Sequence, residues 1–163
     1  MRKVLIWLRQ RRTGVSSFLA VSLLLATALL SGCRAQAQAH PDDAEVRKFL
    51  ERYFSTWSAR DMEGYGACFH PQARVFVLDG PSVVSQGLTD FLHGQKLAHE
   101  MASTPMTEKP VTMTIQGDAK GVQAYVTWVL TKGSKEERGS DLFTLKKEAS
   151  GGWKIVSLVF YGE

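Results

Sequence analysis

The sequence predicts an α+β domain. Three observations carry that expectation. A strongly amphipathic helical stretch surrounds residue 50, several runs after residue 110 alternate apolar and polar residues, and the helices come mostly before the strands. Helices grouped ahead of a run of strands indicate a mostly antiparallel sheet, where a doubly wound parallel sheet would interleave the two.

The first helix opens at Asp42 or Asp43 after Pro41, with Glu45 at capping-box spacing from Asp42. Val46, Phe49, Leu50, Tyr53, Phe54 and Trp57 recur on one helical face, and Arg47, Lys48, Glu51, Arg52 and Ser55 fall on the other. Such a face packs onto a sheet. Ala59-Arg60-Asp61 breaks the pattern, and a short helix through Tyr65 to Phe69 follows. His70-Pro71 ends it, because the residue before a proline avoids the helical region. Arg74 to Leu78 is a short β-rich run closed by Asp79-Gly80-Pro81, and Val83 to Gln86 gives a second short strand. Gly87 precedes a helix from about Thr89 to His99, on which Phe91, Leu92 and Leu97 form a weaker apolar face. Four strands then form a meander. Val111, Met113 and Ile115 alternate with Thr112, Thr114 and Gln116 before a turn at Gly117-Asp118. Gly121 to Thr131 is long and β-rich, Lys132 to Gly139 reads as a polar hairpin tip, Asp141 to Lys147 alternates, and Trp153 to Tyr161 closes the series.

Ahead of this domain lies a different kind of segment. Arg2, Lys3, Arg9, Arg11 and Arg12 form a basic start with no acidic residue, and Val15 to Leu30 is almost entirely apolar or small. That run is short for a bilayer span and suits a cleaved secretory signal. It ends in Leu30-Ser31-Gly32-Cys33, which resembles the lipobox of bacterial lipoproteins. The resemblance implies a signal peptide over residues 1–32, lipid on the Cys33 sulfur, and a tether over residues 33–41. The folded domain then occupies residues 42–163 and sits in the cell envelope. Arg34 after the cysteine leans toward the outer membrane, facing the periplasm, in a host with two membranes.

The same division changes the charge argument. The chain has 20 basic and 16 acidic residues, a formal net charge of +4, but five of the basic residues precede Cys33. The remainder has no basic surplus and no basic stripe among its aromatics, which excludes a broad electrostatic case for nucleic acid. Cys33 and Cys68 are the only cysteines, so a lipidated Cys33 leaves Cys68 unpaired. Between Ala67 and Phe69 it reads as a small buried hydrophobe, with a reactive thiol as the alternative.

Three stretches resemble the NTF2-like superfamily, which includes nuclear transport factor 2, SnoaL-like cyclases, scytalone dehydratase and ketosteroid isomerase. They are the amphipathic helix running into Ser58-Ala59-Arg60-Asp61-Met62-Glu63-Gly64, then Phe69-His70-Pro71-Gln72-Ala73, and finally Gly152-Trp153-Lys154-Ile155-Val156-Ser157. The resemblance spans roughly Ala44 to Gly162. It implies a cone, with helices packed on a strongly curved, mostly antiparallel sheet around an apolar pocket. The fold alone does not decide function.

Within that superfamily, Glu51-Arg52-Tyr53 and Asp141-Leu142-Phe143 are similar to the segments of ketosteroid isomerase that carry its oxyanion-hole tyrosine and its protonated aspartic acid. The resemblance implies that Tyr53 and Asp141 donate hydrogen bonds to a ligand oxygen. Asp141 shares strand parity with Phe143 and Leu145, so it faces the apolar side, where a carboxyl must be hydrogen-bonded or protonated. The isomerase's base position falls, by count from Tyr53, on Val77, which cannot take a proton. Asp79 lies two residues on and is the candidate substitute, although an aspartate before Gly80-Pro81 is also a plain turn former.

Trp57, Phe91, Tyr125, Trp128 and Phe143 are the candidate ligand-lining aromatics, with core packing as the simpler reading for most of them. His70 reads as a helix-end residue. His99-Glu100 reads as a solvated helix end unless the helix lines the pocket mouth. His93 and His99 do not share a helical face, and no ligand spacing suggests a metal. No phosphate loop or dinucleotide fingerprint is present, and no cofactor is expected. The leading expectation is an envelope lipoprotein binding a small, mostly apolar molecule in its cone. The alternatives are an isomerase, dehydratase or cyclase, and a non-catalytic interaction module that forms a homodimer.

Overall fold

The computed structural model describes residues 43–163. The expectations about the signal peptide, Cys33 and the tether fall outside the described residues.

The order of elements is α1 (Asp43–Ser58), α2 (Met62–Gly66), β1 (Phe69–Asp79), β2 (Ser82–Gly87), α3 (Leu88–Met101), β3 (Met106–Gly117), β4 (Gly121–Lys132), β5 (Lys135–Lys147) and β6 (Trp153–Gly162). The six strands form one curved sheet in the order β2-β1-β6-β5-β4-β3. Every neighbouring pair is antiparallel except β1 with β6. The expected α+β class, with helices on a mostly antiparallel sheet, is what the chain adopts.

Helix α1 buries Val46, Leu50, Tyr53, Phe54 and Trp57, the face that the spacing predicts. Burying each such side chain is worth roughly 1.5–3 kcal/mol against exposure, so this face anchors the helix. Tyr53 packs edge-on against Phe54 and Phe143, with ring centroids 5.0 and 5.1 Å away. The helix stops in a Schellman turn. The Asp61 N–H reaches back to the Thr56 carbonyl and the Arg60 N–H to the Trp57 carbonyl, both at 2.9 Å. Arg60 takes the left-handed position at φ 61°, where glycine is the usual occupant. Asp61 then caps α2, its carboxylate accepting from the Gly64 N–H at 2.9 Å.

Three local expectations are corrected. Tyr65 belongs to α2, but that helix ends at Gly66, and His70-Pro71 lies inside β1 instead of terminating a helix. Pro71 is tolerated because the pairing of β1 with β6 is irregular between Phe69 and Arg74, where a missing N–H breaks no ladder bond. The polar stretch 132–139 is mostly strand. Lys132 pairs with Lys135, and only Gly133-Ser134 turns the chain, with Gly133 at φ 62°. Finally, a bulge between Pro110 and Thr112 in β3 changes the side-chain parity. Val111 is therefore 59 % exposed instead of sharing an inner face with the half-buried Met113 and Ile115.

Candidate functional site

The concave face of the sheet is set by parity. In β4, Val122, Ala124, Val126 and Trp128 alternate inward, and in β5 Asp141, Phe143 and Leu145 do the same. Val126 stands directly opposite Asp141, and Trp128 opposite Gly139. Gly139 explains how the tryptophan reaches the carboxylate. A Cβ there would collide with the Trp128 ring and with the Tyr161 carbonyl. The bare glycine lets the indole lie flat across β5, and its Nε1–H donates to Asp141 Oδ1 at 2.8 Å.

Asp141 is 3 % exposed. Burial pushes its pKa up to about 7, and the Trp128 hydrogen bond, which favours the charged form, offsets only part of that rise. A second carboxyl shares the site. Glu108, near the start of β3, is raised well above the usual range, first by burial and then by repulsion from Asp141. Its backbone is fixed by α1, because the Ser58 hydroxyl donates to the Glu108 carbonyl at 3.0 Å and accepts from its N–H at 2.8 Å. Two acids that repel one another in a dry setting hold one proton tightly between pH values at which each alone would be ionised.

Two phenols complete the polar interior. The Tyr65 hydroxyl donates to the Tyr53 hydroxyl at 2.9 Å, which leaves the Tyr53 proton to be donated onward. Burial raises both pKa values well above the ordinary tyrosine range, so both stay neutral donors. Phe69, Phe91 and Phe143 surround them, with Tyr65 5.5 Å from Phe69 and Tyr53 5.1 Å from Phe143. The arrangement is a small set of neutral or shared-proton groups in an aromatic setting, suited to hydrogen-bonding polar atoms of an otherwise apolar molecule.

The sequence-derived candidates separate as follows. Tyr53, Asp141, Trp57, Trp128, Phe91 and Phe143 are buried. Tyr125 is not an interior residue. It is 40 % exposed on the outer face beside Leu142, and its hydroxyl is 2.9 Å from Ser140 Oγ. The reason is parity, since Tyr125 lies between inward-facing Ala124 and Val126. Asp79 is exposed at the end of β1, paired with Ser82 across the turn to β2, which is where its turn-forming reading places it. His99, read as a solvated helix end, is instead 4 % exposed, with its ring 4.3 Å from that of Trp57. Cys68 is buried and its thiol is pushed up by burial, which fits the hydrophobe reading.

Glu108 was missed by sequence reasoning. Between Thr107 and Lys109 it looks like solvated strand surface. Parity with Met106 and Pro110 was the available signal, and it becomes informative only once β3 is known to begin at Met106.

A cavity of about 360 Å³ opens where α1, α2 and α3 meet, lined by Arg60, Met62, Lys96, His99 and Glu100. Trp57 lies beside it, its indole N–H donating to Gln95 Oε1 at 2.8 Å.

With the geometry described, comparison places the chain among known folds. A family model described as "Putative lumazine-binding" matches residues 41–161. No curated protein matches the sequence. Among solved structures, a cystatin-like-fold protein of unknown function from Nostoc punctiforme superposes with TM-score 0.63 at 13 % identity, over 75 % of this chain and 91 % of that one. An NTF2-like protein of unknown function from Pseudomonas putida gives TM-score 0.63 at 16 % identity, over 72 % and 84 %. A ketosteroid isomerase-like protein from Erwinia carotovora atroseptica gives 0.59 at 14 % identity, over 75 % and 96 %. At these identities the likeness establishes the fold alone.

Proposed function

Since this chain belongs to the family described as "Putative lumazine-binding", we propose that its cone binds a small, mostly apolar molecule bearing ring carbonyl or N–H groups. The observation that carries the reading is the interior polar set. Asp141 titrates at about 7 beside Glu108, and Tyr53 has a proton to give, all among aromatic rings. A heteroaromatic dione such as lumazine presents acceptors to Tyr53 and to a protonated Glu108, and a ring N–H to the Asp141 carboxylate that already accepts from Trp128. Its flat apolar faces suit the edge-on rings of Phe143 and Phe69.

The test is a fluorescence titration of the full-length protein with lumazine, alongside native mass spectrometry for a co-purifying small molecule. Saturable binding is expected, weakened about tenfold by Tyr53→Phe, the ~1.4 kcal/mol of one hydrogen bond. No saturation together with no co-purifying molecule overturns the reading. A proton-transfer reading is favoured by one observation, that Glu108 supplies the carboxylate which Val77 cannot. In that case Glu108→Gln keeps ligand affinity and removes turnover.

The sequence also supports a location for this activity. Lipidation of Cys33 would tether the domain to the envelope, so Cys33→Ala should move the protein from the membrane fraction to the soluble one. Full retention of a processed Cys33→Ala chain in membranes overturns the anchor.

A further inference from the structure

We propose that His99 is a pH-sensitive latch: its neutral ring holds the last turn of α3 against Trp57 of α1, and its protonated ring releases that turn. The latch lies outside the interior polar set and does not depend on what the cone binds.

The placement of the ring is the first support. His99 lies in the last turn of α3, is 4 % exposed, and sets its ring 4.3 Å from that of Trp57. Both ring nitrogens are buried and neither makes a hydrogen bond. A histidine in a last helical turn is ordinarily favoured as a cation by the helix dipole. Here the nitrogens are shut away from water, so a charge on the ring would have neither solvent nor a partner. The neutral ring costs far less to bury.

The charges nearby are the second support. Arg60, in the turn that follows α1, repels a positive charge at His99. Lys96, three residues back on α3, is another cation, and the Glu100 carboxylate lies 3.8 Å from its Nζ. Met62 of α2, which borders the same cavity, is uncharged. Burial first and Arg60 second lower the His99 pKa below its ordinary value, and the Trp57 backbone offsets them only in part.

The latch bears on the cone because α3 is one of its walls. Phe91 of that helix packs at 6.2 Å from Tyr65, 5.7 Å from Phe69 and 6.1 Å from Phe160. Toward the other end of α3, Trp57 meets both the His99 ring and Gln95, which accepts its indole N–H at 2.8 Å. Releasing His99 therefore loosens the end of the wall beside Trp57. Docking is at full strength above the ordinary histidine value of 6.5 and is lost as pH falls through the lowered one. Between the two, each pH unit favours the released turn about tenfold. The interior acids act in the opposite sense, since burial favours their protonated forms. A loss of order in acid that is confined to α3 thus belongs to the latch.

The test is amide hydrogen exchange of the full-length protein at pH 7 and pH 5, corrected for the intrinsic pH dependence of exchange. Protection over Leu97–Met101 is expected to fall about tenfold at pH 5 while that of β5 does not fall. His99→Phe keeps a ring on Trp57 without a titrating group, and should abolish the fall. Ring NMR of the native chain gives a second readout that needs no variant. The His99 signal, assigned through its contact with the Trp57 ring, should titrate below 6.5 together with the loss of protection. Unchanged protection at pH 5, an equal fall in a folded His99→Phe chain, or a His99 titration at or above 6.5 each overturns the proposal. No ligand is present in these measurements, so failure of the lumazine titration leaves the latch standing.

Discussion

Single residues decide how the interior is assembled, and Gly139 is the sharpest case. It pairs across the sheet with Trp128, and its missing side chain is what lets the indole cross to Asp141. Gly139→Ala should cost roughly 1–3 kcal/mol as an overpacked site. It should also displace the indole from Asp141. Urea unfolding would measure the cost, and tryptophan fluorescence the displacement. An alanine variant as stable as the native chain, with unchanged emission, would show that the ring does not depend on this glycine. No sequence pattern marks Gly139 as special, since one glycine in a polar stretch reads as a loop. Its meaning comes from a tryptophan 11 residues earlier that reaches it only after β4 and β5 pair.

Elements were legible where one periodicity held throughout. Helix α1 has an uninterrupted apolar face, and its sequence alone identifies every residue it buries. Asp141 was legible for the same reason, because β5 alternates without a break from Asp141 to Leu145. Strand β3 was not, because the bulge after Pro110 breaks the two-residue period. One face before the bulge becomes the other after it, so Val111 points outward although its spacing from Met113 implies otherwise. The two residues therefore differ in their tolerance of a hydroxyl. Val111→Thr should change stability by less than about 0.5 kcal/mol, as a surface substitution. Met113→Thr should cost about 1–3 kcal/mol through lost burial and an added polar group. Thermal unfolding of the two variants checks the register, and equal losses would place both residues on one face. His99 was misread for a related reason. The end of a helix looks solvated until the helix it packs against is known, and here Trp57 of α1 covers it.

At the scale of the whole domain, the two interior acids should dominate the pH dependence of stability. Asp141 has a folded pKa of about 7, raised above its ordinary carboxylate value, so folding favours its protonated form. The stability this contributes is present in full below about pH 4 and is lost as pH rises through 7. A rise of about three decades corresponds to up to about 4 kcal/mol. The shift of Glu108 has the same sign. Asp141→Asn still offers an oxygen to Trp128 but does not ionise. The native chain should therefore lose stability relative to this variant between pH 4 and pH 8, as read from urea midpoints. Parallel pH profiles for the two proteins would mean that Asp141 is ionised throughout. The one parallel pairing bears on something else, the moment at which folding can finish. Beyond their pairing with each other, strands β1 and β2 join the sheet only through β6, which begins at Trp153, more than 80 residues after Phe69. Contacts so distant in sequence form late. Until β6 is available, the early hairpin can pack only on the helices, through Phe69 against Tyr53, Tyr65 and Phe91, and stays cut off from the β3–β4–β5 meander, so the sheet becomes continuous only when nearly the whole domain is present.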